Sequence, residues 1–381
     1  MNQITDVTLM DQLDELAAFE PNGSPFISLY LNMQPDQHGR DNFESFVRKE
    51  FNARAKSFAP ESQELASFKS DTARIRTYLR DEVRPSANGL AIFASVGDDD
   101  YFKAIQLDAP IPRHRLHVSE RPHLYPLARL IDQHPRYVAL LADTNSARLF
   151  VFGLGKVLDR KELHNIKMNR TQVGGWSQMR YQRHVDNYHL HHAKEVVEML
   201  DRVMREEAAE HLILSGDDVI ISLLREYLPD RLKQKVIDVL RLEVRTPEHE
   251  VLKETMEALR EHNLQTDAEK VRLLLDEYRA GGLAIIGFRD TAKALDRGQV
   301  DELLLSASAR DIRYGEADFD HALMDDASTG QPVRNDREPQ LTAPDLLVTR
   351  ARQTGARVTF IEDPAILAGV GGVGAFIRYR I

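Results

Sequence analysis

Short apolar runs alternate with stretches whose apolar positions recur every three or four residues, and this change of period marks out the elements. A helical pattern covers Leu9 to Phe19. The turn signal Pro21-Asn22-Gly23-Ser24-Pro25 then leads into Phe26-Ile27-Ser28-Leu29-Tyr30-Leu31, a strand by its aromatic and β-branched content. A charged helical stretch runs from about 41 to 80, and Asn88-Gly89 precedes a second strand, Leu90 to Phe93. Next come Tyr137 to Ala142 and Ala147 to Phe152, joined by Asp143-Thr144-Asn145, which predicts a hairpin. A long helix is expected from about 179 to 209, with Ala193, Val196, Val197, Leu200, Val203 and Met204 as its core face. Leu212 to Leu214 is a short buried strand, and helical stretches surround another near Val236 to Leu240.

The last third alternates strand and helix: Leu283 to Ile286, Thr291 to Asp296, Val300 to Leu305, Asp345 to Gln353, Val358 to Ile361 and Ala375 to Tyr379. An acidic, turn-rich insertion interrupts this order at about 308–340. Alternation of this kind predicts helices on both faces of a largely parallel sheet. A chain of 381 residues exceeds one ordinary core. Three segments are expected, 1–133, 134–263 and 264–381, in an α/β class where each segment holds a mixed or mainly parallel sheet flanked by helices.

The absence of cysteine removes disulfides, thiolate zinc sites and a cysteine nucleophile, and fits a reducing compartment. The first residues lack a secretory pattern, and no apolar run approaches the roughly 20 residues that span a bilayer. A cytoplasmic protein is expected. Net charge is −10, yet its distribution is uneven. From Arg160 to Lys194 there are seven Lys or Arg, two acids and five histidines, whereas Arg310 to Pro339 holds four arginines against eight acids. A cationic island on an anionic body suits local contact with a polyanion; a solvated helix face is the plainer alternative.

Within that island stands Gly174-Gly175-Trp176-Ser177-Gln178-Met179-Arg180-Tyr181-Gln182-Arg183, which contains the only tryptophan of the chain. Paired glycines allow close backbone approach to another molecule, and arginine forks match phosphate. A simple glycine turn before a helix also fits these residues. Other motifs carry less. Gly369-Val370-Gly371-Gly372-Val373-Gly374 spells a dinucleotide fingerprint but precedes a strand instead of a helix, so a tight loop is expected. His184, His189, His191 and His192 lack the spacing and the carboxylate of a metal site. Asp217-Asp218 reads as a helix cap, with metal-assisted cleavage as the alternative.

The order of segments and the glycine tip together resemble the archaeal and eukaryotic class I peptide-chain release factors and their Pelota relatives, in a bacterial branch. Ile27-Ser28-Leu29-Tyr30, Asn88 to Phe93, Leu275-Asp276-Glu277-Tyr278, Gly287 to Leu295 and Gly371 to Tyr379 carry the resemblance outside the tip. It implies a three-domain release-factor-like architecture. The first domain would face the decoding site, the central tip would reach the peptidyl-transferase centre, and 264–381 would meet a translational GTPase such as elongation factor Tu. The family tip reads G-G-Q-S, followed by two arginines flanking an aromatic residue. Gly174, Gly175, Ser177, Arg180, Tyr181 and Arg183 match it, while Trp176 replaces the glutamine and Gln178 comes two residues later. The codon-reading Asn-Ile-Lys-Ser is absent from the first segment; Asn165-Ile166-Lys167-Met168 lies in the central one.

The resemblance therefore implies a ribosome-binding factor of the A site, of hibernation or rescue type, similar to bacterial hibernation factors. Gly174, Gly175, Trp176, Ser177, Arg180, Arg183, Lys167 and Arg170 would contact RNA. The alternative is codon-independent hydrolysis of peptidyl-tRNA, or cleavage at the tRNA acceptor end, with Gln178 as the catalytic residue. No cofactor, metal, membrane or DNA partner is implied.

Overall fold

The computed structural model describes residues 9–21, 23–35, 43–96, 100–154, 156–164, 176–315 and 343–380, with 176–186 described as helical backbone alone. Two compact units emerge, one combining 1–133 with 266–381 and the other spanning 134–265. Residues 1–133 and the last third, which the sequence pattern sets apart, thus share one unit.

Its first part contains α1 (Leu9–Ala17), β1 (Phe26–Asn32), α2 (Phe43–Ala55), α3 (Gln63–Asp81), β2 (Gly89–Ser95), β3 (Tyr101–Leu107), β4 (Arg115–Ser119) and α4 (Tyr125–Gln133). The sheet order is β3-β2-β1-β4, with every pair antiparallel. Strand alternation explains its two faces. Ile27, Leu29 and Leu31 join Leu90 and Ile92 beneath Val47 and Phe51 of α2 and Phe68 and Ile75 of α3. Phe26, Tyr30 and Phe93 pack together on the opposite face. Helix α3 starts at the hydroxyl of Ser62, which accepts from the Leu65 amide.

The central unit contains β5 (Tyr137–Ala142), β6 (Ser146–Gly153), β7 (Lys156–His164), α5 (Trp176–Glu206), β8 (His211–Gly216), α6 (Asp218–Tyr227), α7 (Asp230–Lys233), β9 (Val236–Leu240) and the first half of α8 (Glu248–Arg279). Its order is β7-β6-β5-β8-β9. The meander β5-β6-β7 is antiparallel, while β5, β8 and β9 run parallel. Asp143 closes the β5–β6 hairpin by accepting from the amides of Asn145 and Ser146, each at 2.7 Å. Ala193, Val196, Leu200 and Val203 bury α5 on one face with α6, and Val251, Ala258 and Leu259 bury α8 on the other. The ends of β5 and β8 approach so closely that a Cβ on Gly216 would stand 2.2 Å from the Ala142 carbonyl oxygen.

The rest of the first unit comprises the second half of α8, β10 (Ala284–Ile286), α9 (Phe288–Asp296), β11 (Val300–Ser306), α10 (Ala343–Gln353), β12 (Arg357–Ile361), α11 (Pro364–Ala368) and β13 (Val373–Ile377). The order β10-β13-β11-β12 has one parallel pair, β11 with β12. The α/β class and three sheets hold. The central and last sheets are mixed, one of the two expected forms, though the last has a single parallel pair instead of being largely parallel. The first sheet is antiparallel throughout. The last strand slots between β10 and β11 and runs against both, so two strands that share a direction never touch. The glycine-rich segment is a turn into that strand: Gly371 and Gly372 both have φ +76°, and a Cβ on Gly372 would meet the Asp311 carbonyl oxygen at 2.6 Å. Acidic insertion residues 316–340 lie outside the described set.

The first-segment elements are joined to this sheet by specific polar contacts. Asp345 of α10 pairs with His123 and accepts from the Tyr125 amide at 3.0 Å. The Tyr125 hydroxyl donates to the Ser306 carbonyl at 2.6 Å, and its ring meets Phe360 edge-on at 5.1 Å. Arg352 pairs with Asp14 at 2.6 Å.

Candidate functional site

Helix α5 starts at Trp176, three residues before the sequence pattern places it, so Trp176, Ser177 and Gln178 form its first turn. Lys167, Arg170, Gly174 and Gly175 lie outside the described residues. Among residues 187–191 none is buried; the first buried side chain of the described part is His192. Trp176 precedes His192 by 16 residues, about 24 Å of axis at roughly 1.5 Å per residue. The start of α5 is thus set far from the part of the helix that makes the core.

The helical period orders the candidate residues. Positions 176, 180 and 183 follow the i, i+4, i+7 spacing of one face. Position 178 falls roughly 200° around the axis from 176 at about 100° per residue. Trp176 and Gln178 therefore occupy opposite sides of the helix and are not interchangeable there. The first turn contains no acidic residue. A helix start carries partial positive charge, and this first turn supplies no carboxylate of its own to offset it.

The opposite end of the island is neutralised. Lys161 reaches Glu206 at 3.2 Å and Asp159 at 3.8 Å. Arg160 lies 3.3 Å from Glu162 and 3.9 Å from Glu248, and Arg148 lies 3.5 Å from Glu162. Arg148 also donates to the carbonyls of Val244 and Thr246, at 2.8 and 2.9 Å. Arg160 and Lys161, two of the seven Lys or Arg between 160 and 194, thus serve to hold β7 to its neighbours, a role that counting charges does not reveal.

The histidines divide by environment. His191 pairs with Glu195 at 3.3 Å along the helix, and His189 contacts the Tyr188 ring. Burial depresses the pKa of His192, opposed by backbone carbonyls of Ser146 and Asp143. Among the described residues no three His, Asp or Glu side chains converge as a metal site. Asp217 accepts from the amides of Val219 and Ile220, at 3.0 and 2.9 Å, and is the cap of α6. No described helix is long and apolar enough to cross a membrane.

Comparison with known proteins extends this geometry. The sequence model of Bacterial archaeo-eukaryotic release factor family 10 matches residues 122–260, which include the whole tip. Peptide chain release factor subunit 1 of Thermoplasma acidophilum is 23% identical over 397 residues, covering 96% of this chain and 94% of that protein. The chain is thus similar to release factor subunit 1 proteins along nearly its whole length, and to the bacterial family over its central third. The eukaryotic release factor subunit 1 of Saccharomyces cerevisiae is also similar, at 23% identity over 93% of this chain and 85% of its own length. Among solved structures, Archaeoglobus fulgidus Pelota covers 98% of this chain and 93% of its own, with 14% identity and a TM-score of 0.34. The range matched by the family model includes Gly174, Gly175, Trp176, Ser177, Gln178, Arg180 and Arg183.

Proposed function

We propose that this protein occupies the A site of idle or stalled ribosomes, with residues 174–183 of the central unit reaching toward the peptidyl-transferase centre. The observation that carries this reading is the position of Trp176 at the start of α5, 16 residues ahead of the first buried side chain of its described part. Near-full-length similarity to proteins named peptide chain release factors supports the ribosome as the partner.

In this reading Gly174 and Gly175 let the chain approach rRNA closely. Trp176 stacks on a base, a contact worth about 1–3 kcal/mol. Arg180 and Arg183, with Lys167 and Arg170, bind phosphates and set register without reading sequence. The pairing of Arg160 and Lys161 with acids fits a division of labour, in which the base of the island is structural and the tip meets RNA. Residues 1–133 face the decoding site, and 264–381 contact a translational GTPase such as elongation factor Tu. Occupancy without codon reading makes the factor one of hibernation or rescue.

The alternative, hydrolysis of peptidyl-tRNA or cleavage at the acceptor end through Gln178, requires that side chain to act from the opposite side of the helix to position 176. A displacement of about 1 Å in a positioning group already costs roughly 10²-fold in rate. Occupancy is therefore the favoured function. Purified protein should co-sediment with 70S ribosomes at low salt and dissociate as salt rises. Absence from the ribosomal pellet at low salt would refute the proposal.

A further inference from the structure

Strand β12 is the open edge of its sheet, and edges expose unpaired amides. The Ile361 carbonyl accepts from Ala307 at 2.9 Å, so residue 361 faces β11 while 360 and 362 face outward. Both outward amides are nevertheless satisfied. Phe360 donates to Asp132 Oδ2 of α4 at 2.8 Å, and Glu362 donates to Asp267 Oδ2 of α8 at 3.2 Å. The Glu362 side chain returns to α4, pairing with Arg129 at 3.1 Å and accepting from the Gln133 side-chain Nε2. Two helices from distant parts of the chain thereby seal one strand edge through carboxylates.

We propose that Asp132 and Asp267 form a proton-operated latch, which holds α4 and α8 more tightly to the edge of β12 as the solution becomes more acidic. Three carboxylates, Asp132, Asp267 and Glu362, repel one another here. Lys270 offsets them only in part, because its ammonium is committed to Glu302 at 2.7 Å and Thr359 at 3.3 Å. Arg129 is shared with Glu362, Arg357 contacts Glu302, and Tyr125 keeps its proton bonded to Ser306. A proton on Asp132 or Asp267 removes repulsion while the other carboxyl oxygen still accepts the strand amide.

Burial, reinforced by the neighbouring acids, pushes Asp132 up to about 7 and Asp267 up to about 6. When the latch opens, both return toward about 4. A carboxyl raised in the closed state binds its proton more strongly there. Closure is therefore favoured at low pH and weakens as pH rises through 6 to 7.

The test is amide hydrogen exchange at Phe360 and Glu362 in the full chain, corrected for intrinsic rates. Protection should rise about fivefold from roughly pH 8 to 6.5, and Asp132→Asn should reduce that rise to about 1.3-fold. An unchanged pH response in Asp132→Asn, or protection that falls on acidification, would overturn the latch. Carbon NMR titration of the wild-type Asp132 carboxyl supplies a readout that does not need the variant to fold. A midpoint near 7 supports the proposal, and one near about 4 overturns it. Neither measurement depends on ribosome binding.

Discussion

Lys161 Nζ lies 3.2 Å from Glu206 Oε2, which ties β7 to the last residue of the helix that starts at Trp176. Strand β7 and the far end of the helix that starts at Trp176 are thus anchored to each other. Both partners are partly exposed, so the pair is worth about 0.2–1 kcal/mol. Lys161→Ala should lower stability by no more than about 1 kcal/mol in urea unfolding. It should leave ribosome affinity unchanged, because this cation is already engaged within the protein.

The arginines at the start of α5 should behave in the opposite manner. Arg180→Ala and Arg183→Ala should each weaken ribosome binding at low salt. Each should also reduce the slope of log affinity against log salt by about 0.7–0.9, the signature of one lost phosphate contact. Binding measured across a salt series checks this. An unchanged slope with reduced affinity would assign the arginines a role other than phosphate contact.

Asp217 offers a control for chemistry. Its carboxylate is spent on two amides of α6, so Asp217→Ala should cost about 1 kcal/mol of stability. The variant should still bind ribosomes at a temperature where it remains folded. Loss of ribosome binding in a folded Asp217→Ala protein would show that the residue does more than cap.

Acid sensitivity should have an identifiable source in the first unit. His117 stacks on His123 at 3.5 Å between centroids, and burial next to that ring pushes it down to about 3. The unfolded chain binds this proton near pH 6.5. Stability from neutral His117 is therefore complete above about pH 6.5 and is lost progressively as pH falls toward 3. Replacing it by glutamine should flatten the decline in urea midpoint between about pH 6.5 and 4, relative to the wild type. The carboxylates at β12 act with the opposite sign, so comparison of variant with wild type isolates the histidine.

Legibility from sequence followed burial. Tyr137 to Ala142 and Leu212 to Leu214 are apolar throughout because both faces of those strands are covered, and they were readable as strands. The core face of α5 was readable for the same reason: its buried residues recur at three and four. Strands β3, β4 and β7 were not, since each lies at a sheet edge and mixes charged with apolar positions. The insertion of β13 between β10 and β11 also escaped, because strand order is fixed by packing between residues some 90 positions apart. At the candidate site, residue identities exposed the altered tip. The length of helix ahead of the core and the pairing of Arg160 and Lys161 needed coordinates.

A cryo-electron-microscopy map of the protein bound to 70S ribosomes tests the central claim most directly. The expected map shows the central unit in the A site, with Trp176 against rRNA bases near the peptidyl-transferase centre and Arg180 and Arg183 at phosphates. Density for the protein at another ribosomal site, or an A-site position with residues 174–177 turned away from rRNA, would contradict it.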